Sequence, residues 1–173
     1  QETIGRHRPV RRQHRLRALR QPPSAWVLGT GGLFLYPAAY FFALGHAPPV
    51  EAGLINYLWP LLIVLFSAAL PGERLHPRAL SGALIAFLAA ALVITGGSAI
   101  GFNAQHLAGL AAALVAAVIW AAYSVLWRRF NTVPSDAMAG FCLATAGLAF
   151  IGHLLFEPTI IPTAPFELAA LLL

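Results

Sequence analysis

The sequence has few charged residues and a single cysteine, and both shortages exclude whole classes of protein. Asp, Glu, Lys and Arg make up 10% of the 173 residues, against about 25% in a typical globular domain. So few charges could not cover the surface of a soluble domain of this length. Disordered chains are poor in apolar residues, whereas 59% of this chain is hydrophobic. One cysteine, Cys142, cannot build a disulfide scaffold. The class that remains is a membrane protein.

Charge is absent from long continuous stretches of the chain. Because the hydrocarbon core of a bilayer is about 30 Å thick and each helical residue rises about 1.5 Å, about 20 apolar residues make one span. The longest uncharged stretch, 79–127, holds two spans, which the glycine-rich turns at 96–98 and 101–103 separate. We therefore predict an all-α polytopic helix bundle with five transmembrane spans, at about 26–46, 52–70, 79–97, 107–127 and 137–156. Residues 159–173 resemble a connector and the start of another helix.

The 11 arginines, which are the only basic residues apart from histidine, test this number of spans. Seven lie in residues 1–25, two between the second and third predicted helices, and two between the fourth and fifth. The connectors at 47–51, 98–106 and 157–165 contain none. Five spans therefore put every arginine on one side of the membrane, which the positive-inside rule makes cytoplasmic. We expect the localisation to be the inner membrane, with the segment after residue 156 outside.

The basic N-terminal segment, residues 1–25, allows other interpretations. Its arginines could bind nucleic acid or anionic lipid, and a basic stretch before an apolar one also resembles a signal peptide. The apolar stretch here has the length of a full span, however, and no A-x-A cleavage site follows it. We interpret the segment as a cytoplasmic loop whose charge sets the topology, with the bilayer but no nucleic acid as a partner. Because Gln1 is not an initiator methionine, we expect residues to precede it.

Small residues recur at four-residue spacing on the last three predicted helices. Lipid tails give no hydrophobic force that drives helices together, so close contact between small faces stabilises such bundles. The pattern therefore predicts close helix packing and no chemistry of its own. The residues are Gly82, Ala86 and Ala90 on the third helix, Gly109, Ala113, Ala117 and Ala121 on the fourth, and Gly140 and Ala144 on the fifth.

The second predicted helix carries a polar stripe, because Asn56, Pro60, Ile63 and Ser67 share one face. Pro60 cannot donate a hydrogen bond to the carbonyl of Asn56. That carbonyl and the Asn56 amide are then both free at one level of the bilayer, where only protein or a water-filled cavity can cover them. Two interpretations stay open: a kinked helix whose polar groups bond to a neighbouring helix, and a site that faces a substrate.

Aromatic side chains supply the other candidate site residues. On the fourth helix, Trp127 beside two arginines is typical of an interfacial anchor, whereas the deeper aromatics could line a cavity. On the first helix Tyr36 and Tyr40 are similar candidates, with Pro37 as a second kink. The candidate substrate-binding residues are Tyr40, Asn56, Tyr57, Trp59, Pro60, Trp120 and Tyr123.

No Asp, Glu, Lys or Arg lies within any of the five predicted spans. Proton relays, ion-coupled pumps and voltage sensors normally place such groups there. The sequence also contains no metal, nucleotide or nucleophile motif. We therefore expect no enzyme activity, no catalytic residue, no cofactor and no metal. His153 is expected to be a satisfied histidine near the outer end of the last span.

Three segments together resemble the EamA-type transporters of the drug/metabolite transporter superfamily. They are APPVEAGLINYLWPLLIVL at 47–65, GERL at 72–75 and SGA at 81–83. The NYLWP version looks most like the aromatic amino acid exporter branch. The resemblance implies a ten-helix transporter built of two inverted five-helix repeats, of which this chain would be the middle portion. Its domains would be a basic cytoplasmic loop (1–25), the last three helices of the first repeat (26–97), an external loop (98–106) and the truncated first helices of the second repeat (107–173).

The function that we expect is export of a small-molecule substrate, plausibly an amino acid, by alternating access. Neutral hydrogen-bonding groups beside aromatic rings suit a zwitterion with an apolar side chain. The alternatives are an exporter of lipophilic drugs, a nucleotide-sugar-type carrier and a membrane scaffold subunit that transports nothing. The sequence leaves the substrate, the coupling ion and the oligomeric state open.

Overall fold

The computed structural model describes residues 19–73, 75–95 and 103–157, and within them it is helical. The helices are α1 (Pro23–His46), α2 (Pro49–Asn56), α3 (Trp59–Ser67), α4 (Pro77–Thr95), α5 (Leu107–Trp127) and α6 (Asp136–Phe156). Short 3₁₀ turns, Ala104–His106 and Arg128–Phe130, flank α5. With α2 and α3 counted as one, five helical segments are long and apolar enough to cross a bilayer. The predicted all-α bundle of five spans is therefore confirmed.

Proline marks the start of several helices. Pro23, Pro49 and Pro77 each open a helix. Proline suits the first helical position, because its missing N–H would have no partner there and its φ is already helical. Inside α1 the chain stays helical through Pro37. Pro37 therefore does not interrupt the helix, and the kink predicted there stays a prediction.

The second span is interrupted at Tyr57 and Leu58, between α2 and α3. The Leu58 amide donates to the carbonyl of Ile55, three residues back, at 3.1 Å. The Leu62 amide returns to the usual four-residue spacing and donates to the carbonyl of Leu58 at 3.0 Å. The predicted single helix with a kink is therefore two half-helices. The cause is Pro60, whose missing N–H and bulky ring disturb the turn that precedes it.

Helix α5 lies at the centre of the described residues and packs against α1, α2 and α3. Its predicted small face is fully buried at Ala113, Ala117 and Ala121. A Cβ on Gly109 would lie 2.6 Å from the backbone carbonyl carbon of His46, so only glycine permits this approach between α5 and the end of α1. Helix α6 packs against α1, with Gly140 buried. The small faces of the fourth and fifth spans thus make the predicted helix contacts at these positions.

The prediction for the small face of the third span is wrong among the described residues. Within the described part of the chain, helix α4 has its main contacts with the two half-helices and has no buried residue. A Cβ added to Gly82 would meet nothing within 4 Å. Periodicity shows that small residues share a face, but it does not determine whether a neighbouring helix covers that face.

Two connectors that the sequence assigns to the same side of the membrane are in contact. Glu73, between α3 and α4, pairs with Arg128, at the end of α5. The connectors after the second and fourth spans therefore lie at one end of the bundle, as an alternating topology requires. Four predicted features fall outside the described residues: most of the basic segment, the glycine-rich turn at 96–102, Arg74 and the expected start of a sixth helix.

Candidate functional site

The polar centre of the candidate site is Asn56, the last residue of α2, immediately before the break in the second span. Its side chain is buried, with 6% of the residue exposed. The amide nitrogen Nδ2 donates a hydrogen bond to the hydroxyl oxygen of Tyr36 on α1, at 3.2 Å. The other amide atom, Oδ1, is buried and has no hydrogen-bond partner among the described residues. One half of the amide is thus satisfied by a neighbouring helix and the other half is not.

Aromatic rings surround this polar pair. The Tyr36 ring stacks on Tyr40, with ring centres 6.2 Å apart, and lies 5.0 Å from the Trp120 ring of α5. The Tyr40 hydroxyl oxygen is 3.8 Å from where a Cβ of Gly53 would lie, one turn before Asn56. Helices α1, α2 and α5 therefore converge on one group of side chains, which we call the Asn56 cluster: Tyr36, Tyr40, Asn56 and Trp120.

The ring contacts continue from Trp120 along α5 toward the arginine-bearing end. Tyr123 lies 5.5 Å from Trp120 and 5.7 Å from Trp127. Trp127 meets the edge of Phe141 at 5.6 Å, and Phe141 meets Trp26 at 4.8 Å. The row follows from the three- and four-residue spacing of the α5 aromatics, which puts them on one face. Trp127, predicted as an interfacial anchor, is half-buried in this row.

Three other candidate residues lie at the break itself and outside the Asn56 cluster. Tyr57 is 45% exposed, and Trp59 and Pro60 are half-buried. The polar stripe also does not continue along α3, because the Ser67 hydroxyl donates to the carbonyl of Ile63, in its own helix, at 2.8 Å. The stripe predicted for the second span is therefore reduced to one unsatisfied residue, Asn56.

Tyr123 belongs to a different surface from the rest of the candidates. Its ring packs so closely on α1 that a Cβ on Gly32 would lie 2.3 Å from it. It also lines a mainly apolar groove of about 530 Å³ between α1 and α5, together with Leu28, Leu35 and Ile119. The structure thus joins Tyr40, Asn56 and Trp120 in one cluster, and the Trp120 ring connects Tyr123 to it.

Charged groups near the spans lie at their ends. The pair of Glu73 and Arg128, which the sequence analysis missed, is partly exposed, with 37% and 54% of the side chains accessible. Such a pair contributes at most about 1 kcal/mol. The signal that could have identified it is opposite charge on two connectors assigned to the same side. His153 bonds to Glu157 at 2.8 Å, so the expected satisfied histidine is confirmed. Among the described residues, no group of His, Cys, Asp and Glu could hold a metal ion.

Curated relatives of this chain carry the names of exporters. The aromatic amino acid exporter YddG of Ancylobacter novellus is 54% identical over 160 residues, which are 91% of this chain and 55% of that protein. YddG of Escherichia coli is 27% identical over 85% of this chain and 54% of its own length. The pseudopaline exporter CntI of Pseudomonas aeruginosa is 30% identical over 87% of this chain and 51% of its own length. The chain thus spans about half the length of the curated relatives it matches.

Structure and family comparisons agree with these relatives. A solved crystal structure superposes with a TM-score of 0.80 at 52% identity, covering 87% of this chain and 54% of that one. The EamA-like transporter family matches residues 9–95. Together with the five spans, these matches identify a multi-pass membrane protein of transporter rather than enzyme type. The chain belongs to the EamA-like transporter family, and the resemblance inferred from the sequence is confirmed.

Proposed function

We propose that this chain forms part of an exporter that moves a small amphipathic metabolite, an amino acid, across the inner membrane by alternating access. The observation that carries the proposal is the Asn56 cluster, which combines a buried, half-satisfied amide with three aromatic rings from α1 and α5. A cluster of this kind offers hydrogen bonds to a polar head group and ring faces to an apolar side chain. The names of relatives that export aromatic amino acids support the same substrate class.

The absence of charge supports a substrate without net charge. Residues 52–72 and 79–127 contain no Asp, Glu, Lys or Arg. Glu51, the charged residue of the second span, lies in the first turn of α2, so these two segments offer no fixed charge to a charged solute at the level of Asn56. The two charges of a zwitterion sum to zero, so neutral hydrogen-bond donors and acceptors are enough to bind it. The pseudopaline exporter among the relatives favours a second candidate, a larger amino-acid-derived metabolite that the same neutral groups would bind.

The proposed orientation puts the arginine-bearing connectors in the cytoplasm. The positive-inside rule supports this side, and the contact between Glu73 and Arg128 supports a shared end for two of those connectors. With this orientation, 1–25 is a cytoplasmic loop, 26–97 the end of the first repeat, 98–106 an external loop and 107–173 the start of the second repeat.

The test is substrate flux in inverted membrane vesicles, measured on the full-length gene product. Asn56→Leu keeps the branched shape and the number of side-chain heavy atoms and removes the amide. Loss of one substrate hydrogen bond costs about 1–3 kcal/mol, so we expect the half-saturation constant to rise about 5- to 150-fold per folded molecule.

The matched control is Asn131→Leu, because Asn131 is exposed outside the spans and the same substitution there should leave flux unchanged. A purely structural role of Asn56 would instead lower the amount of folded protein and leave the half-saturation constant of the surviving molecules normal. A membrane scaffold would show no substrate-dependent flux even in the wild-type protein.

A further inference from the structure

Besides the second N–H of the Asn56 amide, the hydrogen bond between Asn56 and Tyr36 leaves the Tyr36 hydroxyl hydrogen and the Asn56 oxygen Oδ1 unused. Nδ2 of Asn56 donates, so the Tyr36 hydroxyl oxygen accepts. A phenolic hydroxyl carries one hydrogen of its own, which stays available for another acceptor. Oδ1 of Asn56 is buried without a partner among the described residues. The pair therefore presents a hydroxyl hydrogen and a carbonyl oxygen next to each other.

A buried acceptor without a partner destabilises the state in which it is found. A ligand that supplies a donor at Oδ1 removes that penalty in addition to making its own contact. The gain is greatest for a charged donor, because hydrogen bonds with one ionised partner are about twice as strong as neutral ones. The same argument applies to an ionised acceptor at the Tyr36 hydroxyl.

From these two free groups, and resting on the proposed function, we infer that Asn56 and Tyr36 together bind the head group of an α-amino acid. The substrate ammonium donates to Oδ1 of Asn56, and the substrate carboxylate accepts from the Tyr36 hydroxyl. The two charged groups of an α-amino acid are attached to one carbon, which matches a donor and an acceptor on two side chains that are hydrogen-bonded to each other. The Trp120 ring, 5.0 Å from the Tyr36 ring, then contacts the substrate side chain.

The location favours entry of a substrate at this point rather than elsewhere on α2. Asn56 is the last residue before the interrupted turn at Tyr57 and Leu58, where the Leu58 amide bonds three residues back instead of four. Tyr36 itself is only partly buried. Rearrangement of this turn would expose Oδ1 without unfolding the half-helices on either side, which suits a site that must open and close.

The experiment uses L-phenylalanine as the substrate and two analogues as competitors: phenethylamine, which lacks the carboxylate, and 3-phenylpropionate, which lacks the ammonium. Flux into inverted vesicles is measured on the full-length gene product. In wild-type protein each analogue should compete at least about 5-fold less well than unlabelled phenylalanine, since each loses one charge-assisted hydrogen bond. This comparison does not depend on the folding of any variant.

The variant Tyr36→Phe removes only the hydroxyl. We expect the apparent affinity for phenylalanine to fall about 5-fold or more. The apparent affinity for phenethylamine should stay unchanged, because phenethylamine has no carboxylate that could accept a hydrogen bond from the hydroxyl. Asn56→Leu should lower the apparent affinity for phenylalanine in the same way. It should leave that for 3-phenylpropionate unchanged, because this analogue has no ammonium that could donate to Oδ1. In Tyr36→Phe, phenylalanine should therefore bind no more tightly than phenethylamine. In Asn56→Leu, it should bind no more tightly than 3-phenylpropionate.

Three results would overturn the assignment. The first two leave the proposed function standing, and the third refutes that function as well. If wild-type protein transports phenylalanine but phenethylamine competes equally well, or if Tyr36→Phe weakens phenylalanine and phenethylamine to the same degree, the head-group role is wrong and the proposed function stands. If wild-type protein transports neither phenylalanine nor any other α-amino acid, both the proposed function and this assignment fail.

Discussion

Replacement of Gly109 by alanine tests the central helix contact of the bundle. The new Cβ would lie 2.6 Å from the carbonyl carbon of His46 and 2.7 Å from the backbone nitrogen of Ala47, whereas ordinary van der Waals contact begins at 3.4 Å. Backbone atoms cannot rotate out of the way, so α1 and α5 must separate. Overpacking costs about 1–3 kcal/mol, and the better helix propensity of alanine returns about 1 kcal/mol. Because the clash is with backbone atoms, we expect the upper half of that overpacking range, and so a net destabilisation of about 1–2 kcal/mol.

The assay is thermal unfolding of the purified protein in detergent micelles. A loss of 1 kcal/mol lowers the Tm of a chain of this size by roughly 2–4 °C, so Gly109→Ala should melt roughly 2–8 °C below wild type. Gly82→Ala is the matched control, because the added Cβ meets nothing within 4 Å. It should leave the Tm unchanged or raise it. Equal Tm values for the two variants would refute the contact between α5 and the end of α1.

Three further measurements test other parts of the structure. Phe141→Ala empties a fully buried position and should cost about 3–5 kcal/mol, seen as loss of folded protein from the membrane; normal yield and Tm would show that the ring is not enclosed. Glu73→Arg should lower the Tm slightly at low salt, and adding Arg128→Glu should restore it because the pair is re-formed with reversed charges; no recovery in the double variant would exclude the ion pair. Single cysteines are placed at His76 and Asn103 in a cysteine-free background and treated with an impermeant thiol reagent in intact cells. Only the cysteine at position 103 should be labelled, and labelling of both would contradict the five-span topology.

The spans were predictable because a bilayer imposes a physical length on every helix that crosses it. Charge is costly inside the membrane, so the uncharged stretches mark the spans almost to their ends. The predicted 137–156 differs from the observed Asp136–Phe156 by one residue. The break in the second span was harder to place. Pro60 signals a distortion, yet the interruption lies at Tyr57 and Leu58, since proline removes a bond to the turn before it.

The candidate site was predictable only in part, because spacing along one helix does not reveal what lies across from it. The periodicity of the second span put Asn56 on a polar face, and its amide is half unsatisfied in the structure. That Tyr36 is its partner depends on how α1 and α2 pack. The same limit explains why Gly109 and Gly82, alike in the sequence pattern, have opposite surroundings in the structure.

The row of aromatic rings determines what the intrinsic fluorescence of this protein reports. Of the four tryptophans, Trp26, Trp120 and Trp127 all have ring contacts in the row. Their emission therefore follows the packing of α1, α5 and α6. Trp59 opens α3 immediately after the interrupted turn and lies outside that row. If the other three are replaced by phenylalanine, this chain keeps one tryptophan at the break, and the emission of Trp59 then reports any change in the surroundings of that turn.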